Sequence, residues 1–160
     1  MLNKKEWLDY LYYDLGKQQF DFRVSGLTKN KEGDIISTKW KKYSEVCFPL
    51  DPWDSDKIDW VNNREILPNE VVIDLEDKKN IERVISKIKK DNLPFFIFDT
   101  HSRGYHIHIF FKEELISKEK LKIIKRYGGD EQKQYQGTSI ALEGAKHWKS
   151  GKIKEEIKWT

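Results

Sequence analysis

The segment FFIFDTHSRGYHIHIFF, residues 95–111, contains two blocks of β-favouring apolar residues on either side of a polar turn. Such a pattern predicts a β-hairpin. His106 and His108 lie two positions apart in the second block, so their side chains share one face of the strand. A β-hairpin forms without histidine, so these two imidazoles are not explained by the fold alone. The groups that they face are therefore relevant to function.

A strand and a helix precede this hairpin. The stretch EVVIDLE, residues 70–76, predicts a short apolar strand, and KKNIERVISKIKKDN, residues 78–92, places Ile81, Val84, Ile85 and Ile88 on one helical face. A strand, a crossover helix and a return strand in one sheet form a right-handed unit whose first and second strands are parallel. The predicted β-α-β-β unit has its helix on one sheet face and leaves the other face open for a ligand.

Side-chain alternation sorts the residues of this unit onto the two faces. The apolar series of each strand is expected to face the helix, which puts the polar series on the open face. The side chains predicted on that open face are Val72, Asp74, Glu76, His106, His108 and Phe110.

Two features of this face suggest chemistry. Asp74 and Glu76 are like charges two residues apart and need a counter-charge, which a divalent cation supplies; the alternative is the solvated face of an exposed strand. The turn THSRGY, residues 100–105, offers hydroxyls, a guanidinium, a glycine and backbone donors, a set that suits a phosphate group. The two histidines are either metal ligands or polar surface.

The rest of the chain predicts a further α/β portion. A helix is expected from Lys4 to about Leu15, a hairpin from FDFRVSG and IISTKW, and irregular chain over residues 48–69. The stretch SKEKLKIIKRYGG predicts a helix with Ser117 as its N-cap, and TSIALEG and GKIKEEIKW predict a final pair of strands.

Length and composition limit the possible classes of protein. The 160 residues predict one domain over 1–160, and 38% hydrophobic with 36% charged residues and six tryptophans indicate a folded chain. A net charge of +3 does not by itself indicate a nucleic-acid binder. The single cysteine, Cys47, excludes an intrachain disulfide, and no stretch suits a membrane span or signal peptide, so a cytoplasmic protein without membrane contact is expected.

Together the motifs resemble those of the archaeo-eukaryotic primase superfamily, which includes the small catalytic subunits of primases and the primase-polymerases of archaeal plasmids. The resemblance rests on D-x-E closing a strand and S-R-G-x-H opening another about thirty residues later, and it covers about residues 70–152. It implies an α+β fold with an RRM-like β-α-β-β catalytic core and an N-terminal α/β portion packed on it.

The resemblance also implies roles for individual residues. Asp74 and Glu76 would hold metal ions, and the third acidic ligand would be Asp130 in YGGDEQKQY, with Glu143 in IALEG as the rival. The second motif would touch the incoming triphosphate; its members are Ser102, Arg103, Gly104 and His106.

A later stretch, EGAKHWKSGK at residues 143–152, resembles the H-x-x-T-G segment that follows the third motif in the family. His147, Lys149 and Lys146 would contact phosphates there, and Ser150 stands where the family often has threonine. The alternative is an ordinary basic turn. Trp148, inside this turn, is a candidate for base stacking.

The implied activity is metal-dependent, template-directed nucleotidyl transfer, with two Mg²⁺ or Mn²⁺ ions as cofactors. The implied partners are nucleoside triphosphates, a single-stranded DNA template or primer-template, and an accessory primase subunit. Two other functions stay open from the residues: a metal-dependent nuclease, and a non-catalytic RRM-like nucleic-acid-binding module.

Overall fold

The computed structural model describes residues 2–46 and 61–159. The chain forms two compact units, which are treated separately below. The N-terminal unit comprises Met1–Glu65 with Ser139–Lys154, and the motif unit comprises Ile66–Thr138 with Glu155–Thr160. The single catalytic domain expected over residues 1–160 stays a prediction.

The helices are α1 (Lys4–Tyr10), which continues as a π-helical turn over Leu11–Leu15, α2 (Tyr43–Val46), α3 (Ile81–Lys90) and α4 (Ser117–Tyr127). Short 3₁₀ turns cover Lys78–Asn80 and Glu131–Gln134. The strands are β1 (Arg23–Ser25), β2 (Leu27–Lys29), β3 (Ile35–Ser37), β4 (Lys41–Lys42), β5 (Asn63–Glu65), β6 (Glu70–Leu75), β7 (Phe95–Asp99), β8 (Tyr105–Phe110), β9 (Ser139–Ala141) and β10 (Glu155–Ile157).

The N-terminal unit contains an antiparallel sheet with strand order β4-β1-β5-β9. Val24, Arg64 and Ile140 lie opposite one another on β1, β5 and β9 and are fully or almost fully buried, so one face of this sheet packs into the core. Helix α1 begins at an Asn3 N-cap, as the sequence predicted for its start near Lys4. A hairpin does form before residue 40, with Gly33 at φ +84° in its turn, but its first strand is β2 (Leu27–Lys29) and not the predicted FDFRVSG, whose strand β1 pairs with β4 and β5.

The motif unit contains a second sheet, with strand order β10-β7-β8-β6. Strand β8 runs antiparallel to both β6 and β7, so β6 and β7 are parallel to each other, as the β-α-β-β prediction required. The predicted apolar stripe of α3 packs on this sheet. Its core consists of Val71, Ile73, Leu75, Ile81, Val84, Ile85, Ile88, Ile97, Ile107, Ile109, Ile124 and Tyr127.

Three further details of the sequence prediction are wrong. Strands β9 and β10 do not pair with each other, because β9 joins β5 and β10 joins β7 in separate sheets. Ser117 is the first residue of α4 and not its cap; Ile116 is the cap residue, and its N–H donates to the Glu119 carboxylate at 3.1 Å. Residues 61–69, expected to be irregular, contain β5, whose alternation was hidden because its buried residue is the charged Arg64.

The remainder of the predicted irregular segment, including Cys47, lies outside the described residues. Over residues 2–46 and 61–159, no helix combines the length and hydrophobicity needed to cross a lipid bilayer.

Candidate active site

Asp74 and His106 lie directly opposite each other on β6 and β8. The Asp74 Oδ1 atom is 3.4 Å from His106 Nε2, and the two side chains are 22% and 12% exposed. The Asp74 carboxylate is therefore partly exposed and lies beside the imidazole. The predicted sharing of one face by the first carboxylate and the histidine of the second motif is confirmed by this register.

Gly104 holds the second motif against the end of β6. A Cβ atom built on Gly104 would lie 1.6 Å from the Leu75 carbonyl oxygen and 2.9 Å from the Glu76 carbonyl carbon. No side chain fits there, and the clashing atoms are backbone, so glycine is the residue that permits this approach. The turn is thereby placed beside Glu76, which is exposed immediately after the strand.

The turn itself is closed by its own hydrogen bonds. Thr100 donates from its N–H and its hydroxyl to the Gly104 carbonyl, at 3.2 and 2.7 Å. His101 adopts φ +53°, its N–H donates to Asp99 at 2.7 Å, and its Nε2 lies 2.9 Å from a Glu155 carboxylate oxygen. Ser102 and Arg103 are exposed at the tip, so both are available to an anion in solution.

Asp130 is brought to β6 by the chain that leaves α4. Gly128 ends the helix at φ +78°, and a Cβ on Gly129 would lie 3.2 Å from the Ile73 Cα atom. The Asp130 N–H then donates to the Asp74 carbonyl at 3.1 Å. Its side chain also caps the following 3₁₀ turn, accepting from Gln132 N–H at 3.0 Å. The pair of glycines therefore allows a close passage that sets Asp130 beside Asp74.

Asp74 and Asp130 border a cleft of about 370 Å³ at the end of the edge strand β6, whereas the residues of the second motif are not among those that line it. Its acidic lining residues are Asp74, Glu76, Asp77 and Asp130, and the other residues that border it are Leu75, Asn80, Arg83, Val84, Tyr127, Gly128 and Gly129. The three acids predicted from the sequence thus border one cleft.

Two cations near this cleft were missed by the sequence reasoning. Lys133 Nζ lies 4.0 Å from Asp74 Oδ2 and is 18% exposed, and Arg83 of α3 borders the cleft. Lys133 returns toward Asp74 because the 3₁₀ turn after Asp130 reverses the chain. Arg83 precedes the buried Val84 of α3, but helical periodicity marks it only as a polar surface residue, like Glu82 beside it.

The donor chemistry of the cleft suits a hard divalent cation. Mg²⁺ takes oxygen ligands and is usually bound by one or two carboxylates together with substrate phosphates and water. Within the described ranges 2–46 and 61–159, no three His, Cys, Asp or Glu side chains converge closely enough to hold a metal ion by themselves. A pair of carboxylates near a turn that is predicted to bind phosphate fits the Mg²⁺ arrangement with substrate and water ligands. The cleft does not fit a site whose ligands all come from the protein.

His108 has a structural role. Its Nδ1 atom lies 2.6 Å from Glu70 Oε2, and neither side chain is exposed. The other Glu70 oxygen accepts from Leu67 N–H at 3.0 Å, and Lys120 donates to the Leu67 carbonyl at 2.9 Å. Burial lowers the pKa of Lys120. The predicted open face is therefore wrong at this end of the sheet: Glu70, Val72 and His108 lie on it and are fully buried, whereas Asp74 and His106 on the same face stay partly exposed.

Glu143, the rival third acid, lies in the N-terminal unit and is 1% exposed. Its carboxylate accepts two hydrogen bonds from Arg64 at 2.9 Å, one from Lys154 at 3.0 Å and one from the Trp7 indole at 2.7 Å. These four donors make it the centre of a buried ionic network. Asp130 is therefore the stronger candidate for the third ligand.

The basic turn also belongs to the N-terminal unit. His147 accepts at Nδ1 from the Lys149 and Ser150 N–H groups at 3.3 and 3.4 Å, and its ring stacks beside Trp148 at a centroid distance of 6.4 Å. Lys149 Nζ lies 5.1 Å from the centre of the Trp148 ring. The turn borders a groove of about 450 Å³ that Lys146 also lines. The predicted contacts of His147 and Lys149 with phosphates stay a prediction.

Comparison with solved structures gives three similar catalytic domains. The polymerase domain of Mycobacterium tuberculosis ligase D, in complex with DNA, has 11% identity and a TM-score of 0.63 over 98% of this chain and 81% of that one. The primase-polymerase domain of cyanophage S-2L has 15% identity and a TM-score of 0.59 over 99% and 91%. The catalytic domain of primase RepB', in complex with initiator DNA, has 13% identity and a TM-score of 0.57 over 94% and 84%.

No protein-family model and no curated protein matches the sequence. The structural likeness nevertheless spans nearly the whole chain. The chain therefore has the α+β fold of archaeo-eukaryotic primase-type catalytic domains, as its motifs predicted.

Proposed function

Starting from this fold, we propose that the protein is a metal-dependent nucleotidyl transferase that adds nucleotides to a primer, or begins one, along a single-stranded DNA template. The observation that carries the proposal is that Asp74, Glu76 and Asp130 border one cleft at the end of β6, while Gly104 of the S-R-G-x-H turn packs on the Leu75 and Glu76 backbone. The partners of the reaction are nucleoside triphosphates and a primer-template, with an accessory subunit as a further expected partner.

The acidic residues hold the cations in this proposal. Asp74, Glu76 and Asp130 offer carboxylate oxygens, and His106 fixes the Asp74 carboxylate from 3.4 Å. Bound Mg²⁺ or Mn²⁺ ions would lower the pKa of the attacking 3'-hydroxyl and stabilise negative charge in the in-line displacement. Lys133 balances part of the acidic charge before substrate arrives, because its ammonium group lies 4.0 Å from Asp74.

The turn binds the triphosphate. Arg103 and Ser102 are exposed at its tip, where a guanidinium and a hydroxyl can donate to phosphate oxygens. Gly104 sets the distance between these donors and the carboxylates, since its backbone packs directly on Leu75 and Glu76. The phosphate contacts of His147 and Lys149, which lie in the N-terminal unit, stay a prediction from the sequence.

The test is primer extension and de novo synthesis on single-stranded DNA, with labelled ribo- and deoxyribonucleoside triphosphates and either Mg²⁺ or Mn²⁺. Mutation of a residue that only hydrogen-bonds to a metal ligand typically lowers metal affinity or activity by about 10–100-fold. Asp74→Ala removes a proposed ligand itself, so it is expected to lower product formation by about 100-fold or more. Glu113→Gln, an exposed carboxylate of the same unit, is the matched control and should leave product unchanged.

Three outcomes contradict the proposal. Wild-type protein that shortens the DNA and forms no product acts as a nuclease. Wild-type protein that binds DNA with neither product nor shortening acts as a binding module. Product formation that persists in Asp74→Ala shows that the metal site lies elsewhere. Circular dichroism and the melting temperature of Asp74→Ala confirm folding, because a partly exposed carboxylate contributes little to stability.

A further inference from the structure

The N-terminal unit has a sheet face that the proposed reaction does not use. In the β4-β1-β5-β9 sheet, Val24, Arg64 and Ile140 face the core, and the residues that alternate with them point the other way. On that outer face Arg23 pairs with Lys42, Ser25 with Asn63, and Glu65 with Ser139.

Trp40 immediately precedes β4 and lies on this outer face. The indole is 40% exposed, which is unusual for the largest apolar side chain. The Arg23 guanidinium carbon lies 5.8 Å from the centre of the ring. Arg23 is itself held by Glu65, to which its Nε and Nη2 groups donate at 2.8 and 2.5 Å. The aromatic ring is therefore presented to solvent by a fixed ion pair.

A cleft of about 480 Å³ lies beside this ring. This volume falls in the range of about 300–1,000 Å³ that is typical of small-ligand sites. Apart from Leu27 and Trp40, the side chains bordering it are polar: Ser25, Ser37, Thr38, Lys39, Asn63 and Ser139. A ring face beside hydroxyl and amide groups suits a flat ligand with polar edges, as a nucleobase has.

The charges around the ring suit an anionic partner. Arg23, Lys39 and Lys42 are exposed cations, and Glu65, the acid beside them, is already hydrogen-bonded to Arg23. Lys39 borders the cleft and Lys42 is exposed on the adjoining strand. Cations that contact the backbone, combined with an exposed aromatic ring, bind single strands without sequence preference, because every base has a face that can stack. A duplex keeps its bases stacked inside and cannot use the indole in this way.

We propose that the Trp40 surface, formed by Arg23, Lys39, Trp40 and Lys42, binds single-stranded nucleic acid. One base stacks on Trp40 with its edge toward the polar cleft, and the flanking phosphates contact Lys39 and Lys42. This inference rests on the proposed function, to which it adds a site for the template strand. The binding itself requires neither a bound metal ion nor nucleotide transfer, so it can be measured without either.

The test is fluorescence anisotropy of a labelled 12-nucleotide oligo-dT with the full chain, in buffer containing EDTA and no nucleotide. Trp40→Ala removes one stacking side chain and is expected to weaken binding of the oligonucleotide by about 5- to 150-fold. Trp40→Phe keeps an aromatic ring and should retain most of the affinity. Tyr13→Ala is the matched control, because Tyr13 is an aromatic residue of the same unit with 51% exposure, and its variant should bind as wild type does.

Salt dependence tests the phosphate contacts. Each lysine that contacts a phosphate of a single strand contributes about 0.7 to the slope of log affinity against log salt concentration. Lys42→Ala should reduce the slope by about that amount, and Lys31→Ala, an exposed lysine in the β2–β3 turn, should not.

Three results would overturn the inference: no binding of the oligonucleotide by wild type, unchanged affinity in Trp40→Ala, or equal competition by duplex DNA. Asp74→Ala should bind the oligonucleotide as wild type does while forming no product. The two proposals can therefore fail independently, one in the binding assay without metal and the other in the extension assay.

Discussion

Gly104→Ala tests whether the second motif is held against β6 by backbone contact. The added Cβ atom would lie 1.6 Å from the Leu75 carbonyl oxygen, 2.7 Å from the Leu75 carbonyl carbon and 2.9 Å from the Glu76 carbonyl carbon. Overpacking usually costs about 1–3 kcal/mol, and here the obstacles are backbone atoms of a buried strand that cannot rotate away. We expect a loss of about 3 kcal/mol in the free energy of unfolding.

For a domain of this size, each kcal/mol lowers the melting temperature by roughly 2–4 °C, so Gly104→Ala should lower it by about 6–12 °C. Differential scanning calorimetry measures this change. The turn can relieve the clash only by moving away from Glu76, so binding of a nucleoside triphosphate should weaken as well.

Gly33→Ala is the matched glycine control. Gly33 has φ +84°, and a Cβ atom added to it would have nothing within 4 Å. Gly33→Ala should therefore lower the free energy of unfolding only by the strain of a left-handed residue, about 1–2 kcal/mol. Nucleotide binding should be unchanged in this variant. A Gly104→Ala protein as stable as wild type, with unchanged nucleotide binding, would refute the close approach of the turn to β6.

The remaining predictions concern buried and surface carboxylates of the motif unit. Glu70→Ala should lower the free energy of unfolding, measured by urea denaturation, by about 3–5 kcal/mol, because it removes the partner of the buried His108 imidazole. Glu113→Ala is the control and should change this free energy by less than about 0.5 kcal/mol. Equal effects of the two substitutions would contradict the role of the His108–Glu70 pair. Hydrogen bonds from Arg126 and a tyrosine hydroxyl lower the pKa of Asp91 from 3.8 to about 2. The stabilisation from this carboxylate is present above about pH 4 and is lost as the pH falls toward 2. The melting temperature of wild type should therefore fall more over that interval than the melting temperature of Asp91→Asn. Parallel curves of melting temperature against pH for the two proteins would contradict this.

The sheet of the motif unit was predictable because its signals are local. Alternation in VVIDLE and YHIHIFF assigned each side chain to a face, and the apolar stripe of α3 identified which face is covered. From these alone the pairing of the Asp74 face with the His106 face followed, and the register of β6 against β8 agrees. Each position of these strands is either buried or exposed, so the alternation of apolar and polar residues extends over several residues and can be recognised in the sequence.

Charged residues in the core were not predictable in this way. Arg64 and Glu143 each resemble surface residues in the sequence, and 79 positions separate them. Burial of either charge is costly unless the other is present, and that condition is met only once β5 and β9 pair. The burial of Glu143 depends on these distant contacts. The sequence alone therefore could not exclude Glu143 as the third acidic ligand in favour of Asp130.

The sequence by itself determined the β-α-β-β order, the shared face of Asp74 and His106, and the glycine in the turn beside them. Only the tertiary structure decided that Asp130 lies against Asp74, that Lys133 approaches the same carboxylate, and that His108 is buried with Glu70. The physical reason is that periodicity reports which side of an element meets water. Which charge meets which depends on contacts between distant segments, and these form only when the chain has folded.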